Sequence, residues 1–415
     1  MPSPVLGIDV GTSGVRIAVL DAEGRLVHNT SIGYNSRPNN PESWLEAIRT
    51  LIRAIPDRLR NQLGAVAVDG TSGTLLACDP VGRPLGDALL YNVACPEFAA
   101  KLKGLIPEGG SASSSSGSLA RAMHLIHRHG PNSLLRHQAD WISGWLLSDW
   151  RWGEEGNNLR MGWNLDLDRW HPAVEALNWF EALPTIRPSG ALLGVIAAER
   201  AGHLGLPVDL KVMAGTTDSN ASVLAANPGP GDGITVLGTT LVMKRFTDVP
   251  ISATGITRHK VGGRWLCGGA SNAGAGVLRR FFTDEELKEL SRQIDPDTSS
   301  GLVLVPLNSI GERFPVDDPN LQPVLEPRPV SDALYLHALL EGLTEIEARG
   351  WERLRDLGAP PPRRVISLGG GARNPQWRRM RARRLGCPVV SCSTPPAAGV
   401  AQLARQGLEA QQSIH

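Results

Sequence analysis

Apolar residues in this chain gather into short runs that end on glycines, hydroxyls or single carboxylates. Pro4-Val5-Leu6-Gly7-Ile8 leads into Asp9-Val10-Gly11-Thr12-Ser13-Gly14, and Val15-Arg16-Ile17-Ala18-Val19-Leu20 returns. Residues 5–29 read as a three-strand meander with turns at Gly11–Gly14 and Ala22–Gly24. Leu45, Ile48, Leu51 and Ile52 fall at helical spacing within Pro41–Ile55, an amphipathic helix. Ala65–Val68 is a short buried strand ending at Asp69-Gly70-Thr71-Ser72-Gly73, and Leu75–Cys78 resumes the extended pattern. The serine-rich stretch Ser111–Ser118 reads as a loop within a domain, leading into a helix over Leu119–His129.

The same grammar returns further on. Val212–Gly215 is strand-like, and Ser219–Ala226 is helical up to Asn227-Pro228-Gly229-Pro230-Gly231, the best domain boundary in the chain. Ile234–Leu237 and Leu241–Phe246 form a second hairpin around Gly238-Thr239-Thr240. Leu334–Arg349 is a long helix. Arg364–Leu368 is a strand that runs into a triglycine loop, followed by helices over Gln376–Leu385 and Ala397–Arg405. There is no strict repeat, yet both halves carry a strand–Gly/Thr–strand hairpin.

Length and composition bound what such elements build. At 415 residues two domains are expected, and 41% hydrophobic with 20% charged residues fits a globular protein. A net charge of +1 sets up no field for nucleic acid or a membrane surface, so any basic site for phosphates must be local. No secretory signal or membrane-length apolar run is evident, and five scattered cysteines without a C-x-x-C read as reduced thiols, so a cytoplasmic protein is expected. Cys267, beside Gly268-Gly269, reads as a small buried residue rather than a reactive thiol. Seven of the eleven tryptophans lie between Trp141 and Trp179, where core packing is expected ahead of ligand stacking.

The candidate chemistry sits at the ends of the apolar runs. Glycines at Gly11–Gly14 bring backbone N–H groups close to an anion, Thr12 and Ser13 add hydroxyl donors, and Asp9 can hold a divalent cation. An ordinary glycine-rich hairpin explains that stretch equally well on its own. Asp218, between a strand and a helix, reads in isolation as an N-cap. Competing motifs are absent: there is no Walker lysine motif, no G-x-G-x-x-G and no G-x-S-x-G elbow. His124, His127 and His129 form a small cluster, but only the first two share a helical face and no nearby Cys or acid completes a set, so zinc is not expected.

Taken in order, the Asp9–Gly14 hairpin, Ala214-Gly215-Thr216-Thr217-Asp218-Ser219, Leu237-Gly238-Thr239-Thr240 and Ile366-Ser367-Leu368-Gly369-Gly370-Gly371-Ala372-Arg373-Asn374 resemble the FGGY carbohydrate kinases, from Leu6 to about Leu408. The resemblance implies an α/β fold of two actin-like (ribonuclease-H-like) ATPase domains with an interdomain active-site cleft. Residues 1–226 plus 395–415 would form the sugar side and 227–394 the nucleotide side, the last helix packing back on the first domain. It implies ATP and Mg²⁺ as cofactors. Asp218 matches the general base and also contacts the sugar. Asp9 matches the aspartate that holds Mg²⁺ and touches the sugar end. Gly11, Thr12 and Ser13 match a first phosphate loop, and Gly238, Thr239 and Thr240 a second. Gly369, Gly370, Gly371 and Asn374 match the adenosine loop, with Asn374 donating to the base. Gly311-Glu312-Arg313-Phe314-Pro315 resembles a further family signature with a structural role.

The sugar segments depart from the xylulokinase pattern. Thr71, Ser72 and Gly73 line up with a sugar-touching strand end, where xylulokinases usually read Ser-Gly-Gln-Met-His; Ser72-Gly73 stands in place of Met-His. Tyr91-Asn92-Val93-Ala94-Cys95 replaces Trp-Asn-Asp-x-Arg, losing the acid and the arginine. These changes resemble a short cyanobacterial and plant branch associated with ribulose. The expected reaction is D-ribulose to D-ribulose 5-phosphate, with D-xylulose kinase or a non-catalytic actin-like ATP-binding protein as alternatives. The expected partners are sugar and ATP, with no nucleic acid or membrane, for a monomer or homodimer.

Overall fold

A computed structural model describes residues 3–107 and 112–413. Ser111, the first residue of the serine-rich stretch, lies outside the described residues; the stretch that follows is a turn leading into a helix. The chain divides into two units. The first runs to Ala225 and includes Lys260–Gly263 and the segment from Thr394 on; the second comprises Ala226–His259 and Arg264–Ser393.

The first unit is built on strands β1 (Val5–Val10), β2 (Gly14–Leu20), β3 (Leu26–Gly33), β4 (Ala65–Gly70), β5 (Leu192–Val195) and β6 (Lys211–Thr217), in the order β5-β6-β4-β1-β2-β3. Short turns join β1 to β2 and β2 to β3, so these pair antiparallel; β4 and β6 follow helical crossovers and run parallel to β1 and to each other. Strands β1 and β4 are buried throughout, whereas the edge strand β3 alternates between half-buried and exposed positions. Helix α1 (Pro41–Arg53) starts at Asn40, whose side chain accepts from the Glu42 N–H, and lays Trp44, Leu45, Ile48, Leu51 and Ile52 against Leu6, Ile8 and Val10. Helices α2 (Ser118–His129), α3 (Gln138–Leu147) and α4 (Asp218–Ala225) follow in the same unit. Trp141 and Trp145 of α3 are buried in the same core as Trp44, with the Trp44 and Trp141 rings edge-on at 6.1 Å, and Trp170 and Trp179 lie in a second apolar cluster. These five tryptophans pack the unit.

The second unit repeats the frame. Its strands are β7 (Asp232–Leu237), β8 (Leu241–Thr247), β9 (Ile256–Val261), β10 (Arg264–Ser271), β11 (Arg364–Leu368) and β12 (Val389–Ser391), in the order β9-β10-β8-β7-β11-β12. Three antiparallel strands followed by two parallel ones recur as β3-β2-β1-β4-β6 and β10-β8-β7-β11-β12. The sixth strand differs, β5 flanking the parallel edge and β9 the antiparallel one. Helix α5 (Asp332–Asp356) is longer than its apolar periodicity predicts, because past Arg349 only Gly350, Trp351 and Leu354 are buried and the other face is polar. Helix α6 (Pro375–Leu385) packs beside it. Between them Arg381 and Glu347 form a buried ion pair, with Nε–Oε2 at 2.5 Å. The hydroxyl of Thr235 on β7 donates to Glu347, and Arg381 donates to the hydroxyl of Ser367 on β11. Glu312, in the segment 311–315, accepts from the Ser271 hydroxyl and the Asn272 N–H, and Phe314 enters the core, so this segment is a structural brace.

The chain re-enters the first unit through α7 (Pro396–Gln412), longer at both ends than the predicted 397–405. It covers the sheet face opposite α1, where Val5, Ala18, Leu20, Ala65 and Ala67 point. The approach is too close for side chains at two points. A Cβ on Gly7 would lie 1.9 Å from the Ala397 carbonyl oxygen, and one on Gly399 the same distance from that of Ala221 on α4. No described helix is long and apolar enough to cross a membrane, and all five cysteines are free, with Cys267 buried.

Candidate functional site

The first unit gathers carboxylates at the C-terminal ends of its parallel strands, where open α/β sheets place ligands. Asp9 ends β1, Asp69 ends β4, and Asp218 follows β6 as the first residue of α4. Parallel pairing sets Asp9 opposite Asp69, and Thr216 opposite Asp69 on the other side. Asp9 is 2% exposed and receives Arg16 Nη1 at 3.2 Å from the facing position on β2. Asp69 is fully buried, and neither of its carboxylate oxygens has a hydrogen-bond partner among the described residues. Burial, then the charges of Asp9 and Asp218, hold the Asp69 carboxyl well above the usual carboxylate range. Burial also raises Asp9, against the pull of Arg16. Two buried carboxylates that cannot both ionise cheaply, one with orphaned oxygens, are a hard-oxygen set that fits Mg²⁺.

Asp218 is half-buried, and its Oδ1 accepts from the Ser219 N–H at 2.8 Å and the Ser72 N–H at 3.4 Å. The capping bond that the sequence suggested for it is made by its neighbour: Thr217 Oγ1 accepts from the Asn220 N–H at 3.4 Å. Asp218 is thus held on a rigid strand end and the first turn of a helix, tied through Ser72 to the Asp69–Gly73 segment. The Thr71 hydroxyl turns inward to Gln138 Oε1 at 2.9 Å, and the Thr71 N–H reaches the same oxygen. Ser72 is half-buried. Gly73 has φ +89°, and a Cβ there would meet Arg121 Nη2 at 2.8 Å.

Arg121, on α2, is a residue that sequence reasoning missed. It is buried, and its Nη1 donates to the carbonyls of Tyr91 at 3.1 Å, Val93 at 2.8 Å and Ser116 at 2.9 Å. Burial lowers its pKa to about 10. One cation therefore packs under Gly73 and holds the Tyr91–Cys95 segment by its backbone. Asp69 was likewise read as part of a segment rather than as a site residue.

At the first turn, the Gly11 N–H closes on the Gly14 carbonyl at 3.0 Å, the Tyr34 hydroxyl donates to the Gly11 carbonyl at 2.8 Å, and the Thr12 and Ser13 side chains are exposed. The second unit presents the matching arrangement at the C-terminal ends of β7 and β11. In the Gly238-Thr239-Thr240 turn, the Gly238 carbonyl accepts from Ala275 and the Thr239 carbonyl from Gly276 and from Asn308 Nδ2. Gly369 has φ +84° and leads Gly370–Arg373, a single turn of 3₁₀-helix. The Asn374 amide is engaged on both sides: Oδ1 caps α6 at the Trp377 N–H at 3.0 Å, and Nδ2 donates to Ser291 Oγ at 2.8 Å. The Asn374 Nδ2 carries a second N–H, so donation to a nucleotide base does not require the bond to Ser291 to break.

Residues 233–406 match the model of the FGGY family of carbohydrate kinases, C-terminal domain. Residues 233–406 therefore carry the C-terminal domain of this family, and the chain is similar to ATP-dependent sugar kinases. A relative in this family, the xylulose kinase of Streptomyces coelicolor, is 27% identical over 93% of this chain and 83% of its own length. Among FGGY-fold structures, the xylulose kinase from Rhodospirillum rubrum aligns over 97% of this chain and 90% of its own with a TM-score of 0.81 and 21% identity. The glycerol kinase from Plasmodium falciparum with ADP aligns over 98% of this chain and 90% of its own with a TM-score of 0.80 and 14% identity. Two kinases named for different acceptors superpose equally well, so the two-domain actin-like fold does not select the sugar.

Proposed function

We propose that this FGGY kinase transfers the γ-phosphate of ATP to a hydroxyl of a free ketopentose, with Mg²⁺ held by Asp9 and Asp69. The carrying observation is the set Asp9, Asp69 and Asp218 on adjacent parallel strand ends. Asp218 accepts the proton of the attacking hydroxyl as the O–P bond forms and ADP leaves. Asp218 Oδ1 is oriented for that by the Ser72 and Ser219 N–H groups. The exposed Thr12 and Ser13 hydroxyls serve phosphate oxygens in the first unit, and the Gly238–Thr240 turn and Gly369–Gly371 loop serve nucleotide in the second. Mg²⁺, when bound, offsets charge on the transferring phosphoryl group.

The xylulose kinase names of the curated relatives support D-xylulose as acceptor ahead of the D-ribulose expected from the sugar segments. The ribulose reading keeps one specific support: Gly73 has no room for the side chain that xylulokinases place there, because Arg121 occupies it. A panel of free ketopentoses and polyols in a coupled ADP assay decides the matter. D-xylulose is expected to give the highest kcat/KM. Leaving one buried hydroxyl unpaired costs about 1–3 kcal/mol, so the two epimers should differ roughly 5- to 150-fold. ADP release that ignores every sugar would overturn the kinase reading in favour of an ATPase.

A further inference from the structure

Zinc was not expected from His124 and His127 because no Cys or acid stands near them in sequence. The fold supplies both. Cys95 and Glu97, at the end of the segment that Arg121 holds, meet His124 on α2 one turn beyond Arg121. One ligand atom from each of Cys95, Glu97 and His124 lies within 4.8 Å of the other two, and Glu97 Oε1 is 2.8 Å from His124 Nδ1. We propose that Cys95, Glu97 and His124 form a binding site for a borderline transition metal of the Zn²⁺ class, with a water in the fourth position.

The donor set is what selects the metal. A thiolate, an imidazole and a carboxylate suit Zn²⁺, whereas Mg²⁺ takes oxygen ligands alone. Tetrahedral zinc with bonds of about 2.0–2.3 Å spaces its ligand atoms by roughly 3.3–3.8 Å, so this triad closes on it by side-chain rotation. The parts are unequally mobile in a useful way. Cys95 is 2% exposed, its N–H is fixed on the Ser115 carbonyl at 2.9 Å, and the Phe98 ring packs edge-on against His124 at 6.4 Å. The Glu97 and His124 side chains are 50% and 37% exposed, which leaves an entry path. Without metal, burial and the Glu97 charge hold the Cys95 thiol above its ordinary value, so binding would release its proton. The plain alternative is a half-exposed Glu97–His124 hydrogen bond, which gives Cys95 no part. A metal here would add a second tie from α2 to the Tyr91–Cys95 segment, beside the Arg121 bonds.

The test uses the full chain, stripped with chelator and titrated with Co²⁺ alone. One equivalent should bind with a thiolate-to-cobalt charge-transfer band, and added Zn²⁺ should bleach it while Mg²⁺ should not. Cys95→Ser should lose the band, and His124→Gln should weaken Co²⁺ binding at least ~10-fold, the loss that even an outer-sphere partner can cause. Cys387→Ser and Cys392→Ser, at the two partly exposed thiols, should change nothing. Absence of the band in the wild type, or its survival in Cys95→Ser, overturns the site. Should Cys95→Ser fail to fold, Glu97→Gln at an exposed position decides: unchanged Co²⁺ affinity there also overturns it.

Discussion

At the scale of single residues, the proposed chemistry rests on carboxylates whose environments differ. Asp218→Asn keeps shape and both N–H contacts but cannot take the proton. It is expected to lower kcat at least ~100-fold with nucleotide affinity nearly unchanged, read by ADP formation beside nucleotide titration. Near-normal sugar-dependent turnover in the folded variant would remove the base role. Asp69 makes a different prediction. Its native carboxyl keeps a proton above the ordinary range, so the wild type loses stability as pH rises from that range toward neutrality, where the unfolded chain has already ionised. Asp69→Asn does not titrate. With chelator present, its unfolding midpoint should match the wild type best near pH ~4 and exceed it increasingly toward neutral pH. Parallel pH profiles would contradict a buried Asp69 carboxyl set opposite Asp9. Asp218 was legible in sequence because glycine and threonines lead into it at a strand end. Asp69 was not singled out, because what makes it special is its pairing with β1 and β6, and parallel neighbours leave no local pattern. Arg121 was hidden for another reason: its partners are backbone carbonyls, which every sequence has.

At the scale of elements, the strand–turn–strand grammar made both hairpins and α1 readable, since each buries a periodic face. What it concealed were contacts that join elements distant in sequence. The Glu347–Arg381 pair, bonded to Thr235 and Ser367, ties α5 and α6 to β7 and β11, the two strands that lead into the Gly238–Thr240 turn and the Gly369–Gly371 loop. Glu347→Gln leaves the Arg381 charge buried without a counter-ion and should cost about 3–5 kcal/mol in denaturant unfolding of the second unit. A loss below about 1 kcal/mol would mean that water reaches the site. The Cys95, Glu97 and His124 grouping was concealed in the same way, its members lying on two sides of a loop that only folding closes.

At the scale of the molecule, the first unit is assembled from both ends of the described chain. Helix α7 buries Val400, Leu403 and Leu408 there, along with several alanines. Three such side chains at about 1.5–3 kcal/mol each approach the entire net stability of a domain, about 5–15 kcal/mol. A chain ending after Ser393 is therefore expected to lose cooperative unfolding of the first unit, measured by calorimetry, while the second unit retains its own transition. A preserved first-unit transition would show that α7 is an accessory. The discontinuity also sets a clock on biosynthesis. A ribosome moving at about 5–20 residues per second needs roughly 8–34 s to translate residues 226–393. Throughout that interval the sheet face around Val5, Ala18 and Ala67 waits without its cover, so a nascent chain offers chaperones a defined apolar surface until the last helix leaves the exit tunnel.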